Sequence, residues 1–293
     1  MDWVRTIVDS LKWIEDNLEN SKINAEIIAE KFYISSSHYQ RAFNILTGIT
    51  VSEYVRNRKL SIAATNLLKE GEGVLETSLK YGYETPEAFC KAFKRFHGIN
   101  PSEVKKGNLK LRAFPPLQLK IVLKGEKSMD YKIVKKEAFK LVGKSIEVSM
   151  ENGENIKMIP TFWNKAYEEG WCQKLSDMSE DEIMTGACIM PKCDCDNKKQ
   201  TFTYAISTII KSDVEIDKEF EVWDVESHNW AIFECLGAMP HAITDTFHRI
   251  FSEWFPATGF EHADAPELEV YFKGDLSSEE YKSQIWVPII KKD

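Results

Sequence analysis

One stretch of this chain occurs twice, and the second copy begins fifty residues after the first. Residues 33–53 and 83–103 share identical residues at seven positions, the pairs Tyr33/Tyr83, Ala42/Ala92, Phe43/Phe93, Gly48/Gly98, Ile49/Ile99, Ser52/Ser102 and Glu53/Glu103. A basic residue also recurs, as Arg41 and Lys91. The repeat predicts two equivalent helical units in one chain. DNA presents equivalent grooves one helical turn apart, so it is the partner such a pair fits best.

Local signals predict the same helices in both copies. Ser35 and Thr85 are N-cap residues, and Pro86 stands at a first helical position. A glycine ends each helix in a left-handed C-cap, and a capping box opens the segment that follows. With the short apolar segments that precede them, the copies predict two helix-turn-helix units. An N-terminal helix covers the first unit, and one long helix over Tyr54–Lys69 joins the two.

The charge of the chain is unevenly distributed. The net charge is −8, yet residues 31–69 carry six Lys or Arg and a single acid, Glu53. A second basic stretch runs over residues 91–112, whereas the C-terminal remainder is acidic. A basic surface around the helical repeats is typical of contact with phosphates, and the acidic remainder argues against a second nucleic-acid site.

Residues 23–106 resemble the DNA-binding domain of AraC/XylS-type transcription regulators. The features that carry the resemblance are the two helix-turn-helix units, the linking helix and the final motif Phe93-Lys94-Arg95-Phe96-His97-Gly98-Ile99-Asn100-Pro101. The resemblance implies that residues of both recognition helices face DNA: Ser36, Ser37, Gln40, Arg41, Glu87, Ala88, Cys90, Lys91 and Lys94. Gln pairs with adenine and Arg with guanine, which makes Gln40 and Arg41 the predicted base readers. The DNA-facing residues of the second recognition helix are less cationic, so we expect this helix to read fewer bases than the first.

A second, weaker duplication lies beyond residue 128. Strand, helix, strand and strand patterns over 139–148, 159–170, 185–190 and 201–210 recur over 230–236, 241–259, 268–272 and 285–290. Two such halves predict one antiparallel sheet with both helices on one face and a ligand groove on the other. The fold class is therefore α+β and multidomain. A double helix-turn-helix domain occupies 1–108, a linker or connecting strand 109–127 and the sheet domain 128–293.

This second domain resembles the GyrI-like effector-binding domains of Rob-type and BmrR-type regulators. The motifs that carry the resemblance include Phe139-Lys140-Leu141-Val142-Gly143, Trp254-Phe255-Pro256 and Pro266-Glu267-Leu268-Glu269-Val270-Tyr271. The resemblance places the ligand-contacting glutamate on Glu269 and a groove-lining aromatic residue on Trp230.

Strand alternation puts Glu269 and Tyr271 on one face and Leu268, Val270 and Phe272 on the other. We interpret the second set as the helix-packed core and the first as the groove. Trp163, Tyr204 and Trp223 are further candidates for the groove wall. A half-buried carboxylate lined by rings suits an aromatic or cationic amphipathic effector.

The sequence thus predicts a bacterial, ligand-responsive transcription regulator that is not an enzyme and is plausibly monomeric. Its partners are double-stranded promoter DNA, a small effector and, as the family implies, RNA polymerase. Two alternatives remain open: a GyrI-like hydrolase that uses Glu269 with Tyr271, and a protein-sequestering module. The absence of a long apolar run predicts a cytoplasmic protein with no membrane contact. Cys193-Asp194-Cys195 lacks further ligands nearby, so no metal or other cofactor is expected.

Overall fold

A computed structural model describes residues 2–19, 23–68, 72–106, 110–118, 128–179, 181–190, 201–210 and 214–291. The chain divides into two compact units, formed mainly by residues 5–123 and residues 124–293. The predicted limits at 108 and 128 stay predictions, because residues 107–109 and 119–127, with the proposed hinge Gly107-Asn108, lie outside the described residues. So does the Cys193–Cys195 cluster.

The N-terminal unit is helical. Its described helices are α1 (Trp3–Asp16), α2 (Ala25–Lys31), α3 (Ser36–Thr47), α4 (Val51–Leu68), α5 (Val74–Lys80), α6 (Pro86–His97) and a 3-10 helix (Pro101–Lys106). Helices α2–α3 and α5–α6 are the two predicted helix-turn-helix units, and α4 joins them. The double helix-turn-helix prediction is therefore confirmed.

The residues that recur in the two copies have the same structural role in each copy. Gly48 and Gly98 adopt φ angles of 75° and 82°, the left-handed conformation that ends α3 and α6. The Thr50 N–H donates to Glu53 Oε2 at 3.0 Å and the Glu53 N–H donates to Thr50 Oγ1 at 3.1 Å, which is a complete capping box. In the second copy the Asn100 N–H donates to Glu103 Oε2 at 2.8 Å.

The segment 110–118 belongs to the N-terminal unit. It has no regular secondary structure, yet it lies against α4, and the Phe114 N–H donates to Ser61 Oγ at 2.9 Å. Residues 110–118 form no strand, so the described part of the segment 109–127 is a linker and not a connecting strand. The other positions of that segment lie outside the described residues.

The C-terminal unit is a single antiparallel sheet with helices. Its described elements are β1 (Tyr131–Lys136), β2 (Phe139–Ser149), α7 (Glu154–Glu168), α8 (Trp171–Met178), β3 (Met184–Ile189), β4 (Thr201–Ile209), β5 (Glu221–Val225), β6 (His228–Leu236), α9 (His241–Arg249), a π-helical turn (Ile250–Trp254), α10 (Phe255–Thr258), β7 (Phe260–His262), β8 (Glu267–Tyr271) and β9 (Lys282–Lys291). This confirms the predicted α+β class and both predicted halves.

The strand order is β1-β6-β9-β8-β3-β4-β2-β5, with β7 paired to β9. The halves meet where β3 pairs with β8. Only residues 137–138 separate β1 from β2, although these strands lie towards opposite ends of the sheet. The same is true of β5 and β6, which residues 226–227 connect. The sheet must therefore curl until its ends approach. Beside the β1–β6 pair, the Ser227 hydroxyl of the β5–β6 connection donates to the Lys136 carbonyl at 3.0 Å.

The two faces of the curled sheet are both buried. The inner face is filled by an apolar cluster that includes Leu141, Trp230, Leu268, Val270 and Trp286. The outer face carries the helices: side chains of α7 and α8 pack with those of β2, β3 and β4, and Trp254 packs edge-on against Phe233 of β6, with ring centroids 5.0 Å apart. Both helices lie on one face, as predicted, but the opposite face is a core and not a groove.

We expect His97 to make the stability of the helical unit depend on pH. Burial lowers the pKa of His97 below its usual 6.5, and the nearby Arg112 acts in the same direction. The folded state therefore favours neutral His97, so stability is fully present above about pH 6.5 and falls as the pH drops below it. Urea unfolding followed by circular dichroism should give a lower midpoint at about pH 5.5 than at about pH 7.5. His97→Gln should flatten this difference, and an unchanged pH slope in that variant would assign the effect to other groups.

Candidate functional site

A carboxylate bound by two phenols lies on the helix-covered face of the sheet. The Tyr204 hydroxyl, from β4, donates to Glu269 Oε2 at 2.8 Å, and the Tyr271 hydroxyl, from β8, donates to the same oxygen at 2.8 Å. Tyr204 is fully buried, whereas Glu269 and Tyr271 are half-buried. The site thus places one negative charge beneath two aromatic rings, next to the line where the halves of the sheet meet.

Helix α7 adds a third aromatic residue to this cluster. The indole N–H of Trp163 donates to the Tyr204 hydroxyl oxygen at 2.9 Å. The Trp163 ring also meets Tyr271 edge-on, with centroids 5.2 Å apart and planes at 76°. The hydrogen bonds therefore run in one direction, from Trp163 through Tyr204 to Glu269, and each donor in such a chain strengthens the next.

Gly186 of β3 makes room for the carboxylate. It pairs with Glu269 on one side and Ile206 on the other. A Cβ at this position would lie 2.1 Å from the Tyr204 hydroxyl and 2.6 Å from Glu269 Oε2. Any larger residue would have to displace the phenol and the carboxylate, so Gly186 is part of the site although it carries no side chain.

Both phenols stay protonated at any physiological pH. Burial raises the pKa of Tyr204 and of Tyr271 well above 10, and the negative charge of Glu269 raises both further. Burial also raises the pKa of the neighbouring Cys235 thiol to about 11, with a smaller contribution from Glu269. Tyr204 and Tyr271 are therefore neutral hydrogen-bond donors to the Glu269 carboxylate.

Two of the predicted groove residues lie elsewhere. Trp230 is fully buried in the apolar cluster of the inner face, and Trp223 packs against the same cluster. The register pairs Leu268 with Trp286 and Trp286 with Ile232, which places Trp230 on the face of Leu268 and not of Glu269. The sequence interpretation of the two faces was inverted: Leu268 and Val270 face the interior of the curl, and Glu269 and Tyr271 face the helices.

The second acidic residue of β8, Glu267, is buried. Glu267, at the start of the strand, is only 3% exposed. Its Oε1 atom lies 3.2 Å from His262 Nε2, and His262 Nδ1 lies 2.6 Å from the Ala263 carbonyl oxygen. Glu267 therefore has a basic partner of its own, whereas the hydroxyls that donate to Glu269 belong to phenols. Neither Gly186 nor His262 was predicted from the sequence. For Gly186, the available signal was a glycine between small residues of β3.

The predicted DNA-facing residues lie on α3 and α6. Glu87, Ala88, Lys91 and Lys94 are exposed on α6 and Cys90 is half-buried, while the Thr85 side chain caps the helix by accepting from the Ala88 N–H at 3.1 Å. On α3, the Gln40 amide donates to Ser36 Oγ at 3.1 Å and Ser37 Oγ lies 2.9 Å from Ser35 Oγ. Gln40 and Arg41 are only 6% and 9% exposed, so base reading by these two requires that they first become accessible.

Two kinds of site are absent from the described part of the chain. Among its described helices, none combines the length and the hydropathy of a membrane span. Its His, Cys, Asp and Glu side chains nowhere gather in the number that a bound metal ion needs.

We expect Gly186→Ala to damage the carboxylate cluster directly. The added methyl group meets the Tyr204 hydroxyl and Glu269, so the variant should lose about 1–3 kcal/mol of unfolding free energy. The cost should shrink in a Tyr204→Phe background, which removes the nearest atom, and denaturant titration of the four proteins measures this coupling. Additive losses would show that the hydroxyl does not limit the space at Gly186.

Comparison with known proteins supports a regulatory role for both units. Residues 132–289 match the model of the integron-associated effector binding protein family, and residues 28–107 match that of a helix-turn-helix domain. The chain is 34% identical over 104 residues to the multiple antibiotic resistance protein MarA of Escherichia coli strain K12, covering 36% of this chain and 81% of that protein. It is 35% identical over 96 residues to the transcriptional activator AarP of Providencia stuartii, covering 33% of this chain and 70% of that one.

Among solved structures, the protein SAV2435 with bound tetraphenylphosphonium is 25% identical, with a TM-score of 0.48 and coverage of 55% of this chain and 94% of that one. The two family matches cover most of the two units described above. The chain is an AraC-type helix-turn-helix transcription regulator, and its C-terminal unit belongs to the integron-associated effector-binding protein family.

Proposed function

We propose that this regulator senses organic cations at Glu269 and responds by changing its binding to promoter DNA. The observation that carries the proposal is the half-buried carboxylate beneath Trp163, Tyr204 and Tyr271. An opposite charge stabilises a carboxylate that is partly withdrawn from water, and a bound organic cation would bring such a charge to Glu269.

The aromatic residues define the class of effector further. Ring faces attract cations, and stacked or edge-on rings tolerate ligands of several shapes better than directed hydrogen bonds do. Tyr204 and Tyr271 already donate hydrogen bonds to Oε2 of Glu269. We therefore expect this oxygen to attract a ligand by its charge rather than by accepting another hydrogen bond. Flat or globular hydrophobic cations therefore fit the site better than small hydrophilic amines.

The helical unit supports binding to two successive groove segments. Helices α3 and α6 end in equivalent caps and are joined by the single helix α4, so one chain carries two recognition helices. A monomer could then cover about one helical turn of DNA, roughly 34 Å, without a second copy. Binding of promoter DNA implies a cytoplasmic protein that meets RNA polymerase at the promoter.

Effector control would be a population shift. A cation changes DNA binding only to the extent that it binds more tightly to one of two conformations of the protein. The sign of regulation, activation or repression, follows from which conformation binds DNA more tightly.

The charge of Glu269 should decide which effectors bind. Glu269→Gln keeps the volume and an acceptor oxygen for both phenols while it removes the charge. We expect tetraphenylphosphonium to bind at least about tenfold more weakly to the variant, a loss of about 1.4 kcal/mol, and neutral triphenylphosphine oxide to bind equally to both proteins. Titration calorimetry with the two compounds gives the comparison.

Trp230→Phe is the matched control, because Trp230 lies on the opposite face of the same sheet. It should leave the affinity for both compounds within about twofold of wild type, since the inner face takes no part in binding. If Glu269→Gln weakened the cation and the neutral compound alike, charge recognition would be refuted.

Arg41 and Lys94 should differ in how they affect DNA binding. Arg41→Ala should cost about 1–3 kcal/mol at a preferred sequence and relax base preference at one position. Lys94→Ala should weaken all sequences alike and reduce the dependence of affinity on salt, because an exposed lysine on α6 contacts phosphate. Fluorescence anisotropy on a selected duplex and on its scrambled form distinguishes the two effects. An Arg41→Ala protein with unchanged preference would exclude Arg41 as a base reader.

A hydrolytic activity is the second candidate, and the short Tyr271–Glu269 hydrogen bond favours it. A carboxylate with an adjacent phenol can act as a general base with an electrophilic partner. Turnover of an electrophilic small molecule by the wild type, lost in Glu269→Gln, would identify this activity.

A further inference from the structure

We infer that residues 110–118 are a strap that holds the two helix-turn-helix units at a fixed spacing, and that two-groove DNA binding depends on it. The inference rests on the proposed DNA binding by α3 and α6. The strap runs along α4, the helix that joins the units, and it is fastened to α6 of the second unit and to the part of α4 that packs against the first unit. It lies in the segment that the sequence predicts to be a linker.

One end of the strap is fastened to the second helix-turn-helix unit. The Arg112 N–H donates to His97 Nδ1, at the end of α6, at 3.2 Å. The other ring nitrogen, Nε2, lies 3.0 Å from the Leu60 carbonyl of α4. Because Nδ1 accepts, Nε2 carries the proton and donates, so neutral His97 links strap, α6 and α4. Leu111 packs against the apolar cluster that contains Phe89 and Phe93.

The other end is fastened to α4, where α4 packs against the first unit. The Phe114 ring packs edge-on against Tyr54, with centroids 6.1 Å apart, and Tyr54 in turn contacts Phe43 of α3. The Phe114 backbone is held at both polar atoms. Its N–H donates to Ser61 Oγ at 2.9 Å, and its carbonyl accepts from Arg58 Nη1 at 2.5 Å.

A partly buried ion pair holds the arginine in place. Arg58 Nε donates to Glu15 Oε1 at 2.8 Å, and Arg58 Nη2 donates to Glu15 Oε2 at 2.6 Å. The Tyr54 hydroxyl donates to Glu15 Oε1 at 2.7 Å. Helix α1, helix α4 and the strap therefore share one hydrogen-bond network, and its geometry is fixed by a bidentate pair rather than by a flexible contact.

The strap presents a residue to the helices at every third position. Leu111, Phe114 and Leu117 are half-buried, while Arg112, Ala113, Pro115 and Pro116 are exposed. A period of three residues is that of an extended polyproline-like chain, and Pro115-Pro116 stiffens it. A stiff segment attached at both ends resists rotation of the second unit about α4.

Rigid spacing matters because the two recognition helices act as a linked pair. When the first helix is bound, the effective concentration of the second at its groove depends on how well the connection already matches the span. A loose connection loses this advantage while each helix keeps its own contacts. Releasing the strap should therefore weaken binding to two groove segments and leave binding to one segment unchanged.

The test uses the full chain, with a duplex that the wild type selects from a random pool and a second duplex in which one of the two protected segments is scrambled. Phe114→Ala and Ser61→Ala release the strap. The control Ala113→Ser alters an exposed side chain of the strap and leaves its prolines, its charge and both backbone hydrogen bonds of Phe114 in place. We expect the release variants to bind the intact duplex about tenfold more weakly and the scrambled duplex equally. The control should stay within about twofold on both duplexes.

Equal weakening on both duplexes, or no weakening on either, would overturn the strap. Hydrogen exchange provides a second test that does not need DNA. The Arg112 and Phe114 amides should be protected in the wild type, and the Phe114 amide should exchange faster in Ser61→Ala. Exchange in the wild type at the rate of a free chain would refute the strap by itself. If the wild type selected no duplex but its Arg112 and Phe114 amides were protected, DNA binding would be refuted and the strap would not.

Discussion

The short connections between strands at opposite ends of the sheet determine the architecture of the C-terminal unit. Residues 137–138 and 226–227 leave no length for a crossover, so the sheet must curl and its inner face must close on itself. Trp230 and Trp286 fill that interior, with ring centroids 6.2 Å apart. The filled interior places the proposed effector site, the half-buried Glu269, on the helix side of the sheet.

The two carboxylates on the helix side of β8 have different hydrogen-bond partners. Glu267 and Glu269 are two residues apart and point to the same face. His262 contacts the first, whereas Tyr204 and Tyr271 donate to the second. An imidazole gives Glu267 a structural partner within the fold. Phenols hold Glu269 by hydrogen bonds from neutral groups, and this difference is why we propose Glu269 as the recognition group.

The sequence predicted the elements better than it predicted their environments. Caps such as Thr50–Glu53 and Gly98 depend on neighbouring residues, so they could be recognised locally. The alternation of β8 correctly paired Glu269 with Tyr271. It could not assign their face, because both faces of a curled sheet are buried and apolar residues suit either. Phe114 was missed for a related reason: a three-residue period in a proline-containing segment resembles neither helix nor strand.

The strand order also has a consequence for synthesis on the ribosome. β9, the last strand to emerge, lies between β6 and β8, and β1, the first to emerge, pairs with β6 of the other half. Neither half can therefore complete its pairing until nearly the whole unit is available. The helical unit, built from contacts close in sequence, can form much earlier. A stalled or truncated chain would then display a folded helix-turn-helix unit without a completed C-terminal sheet.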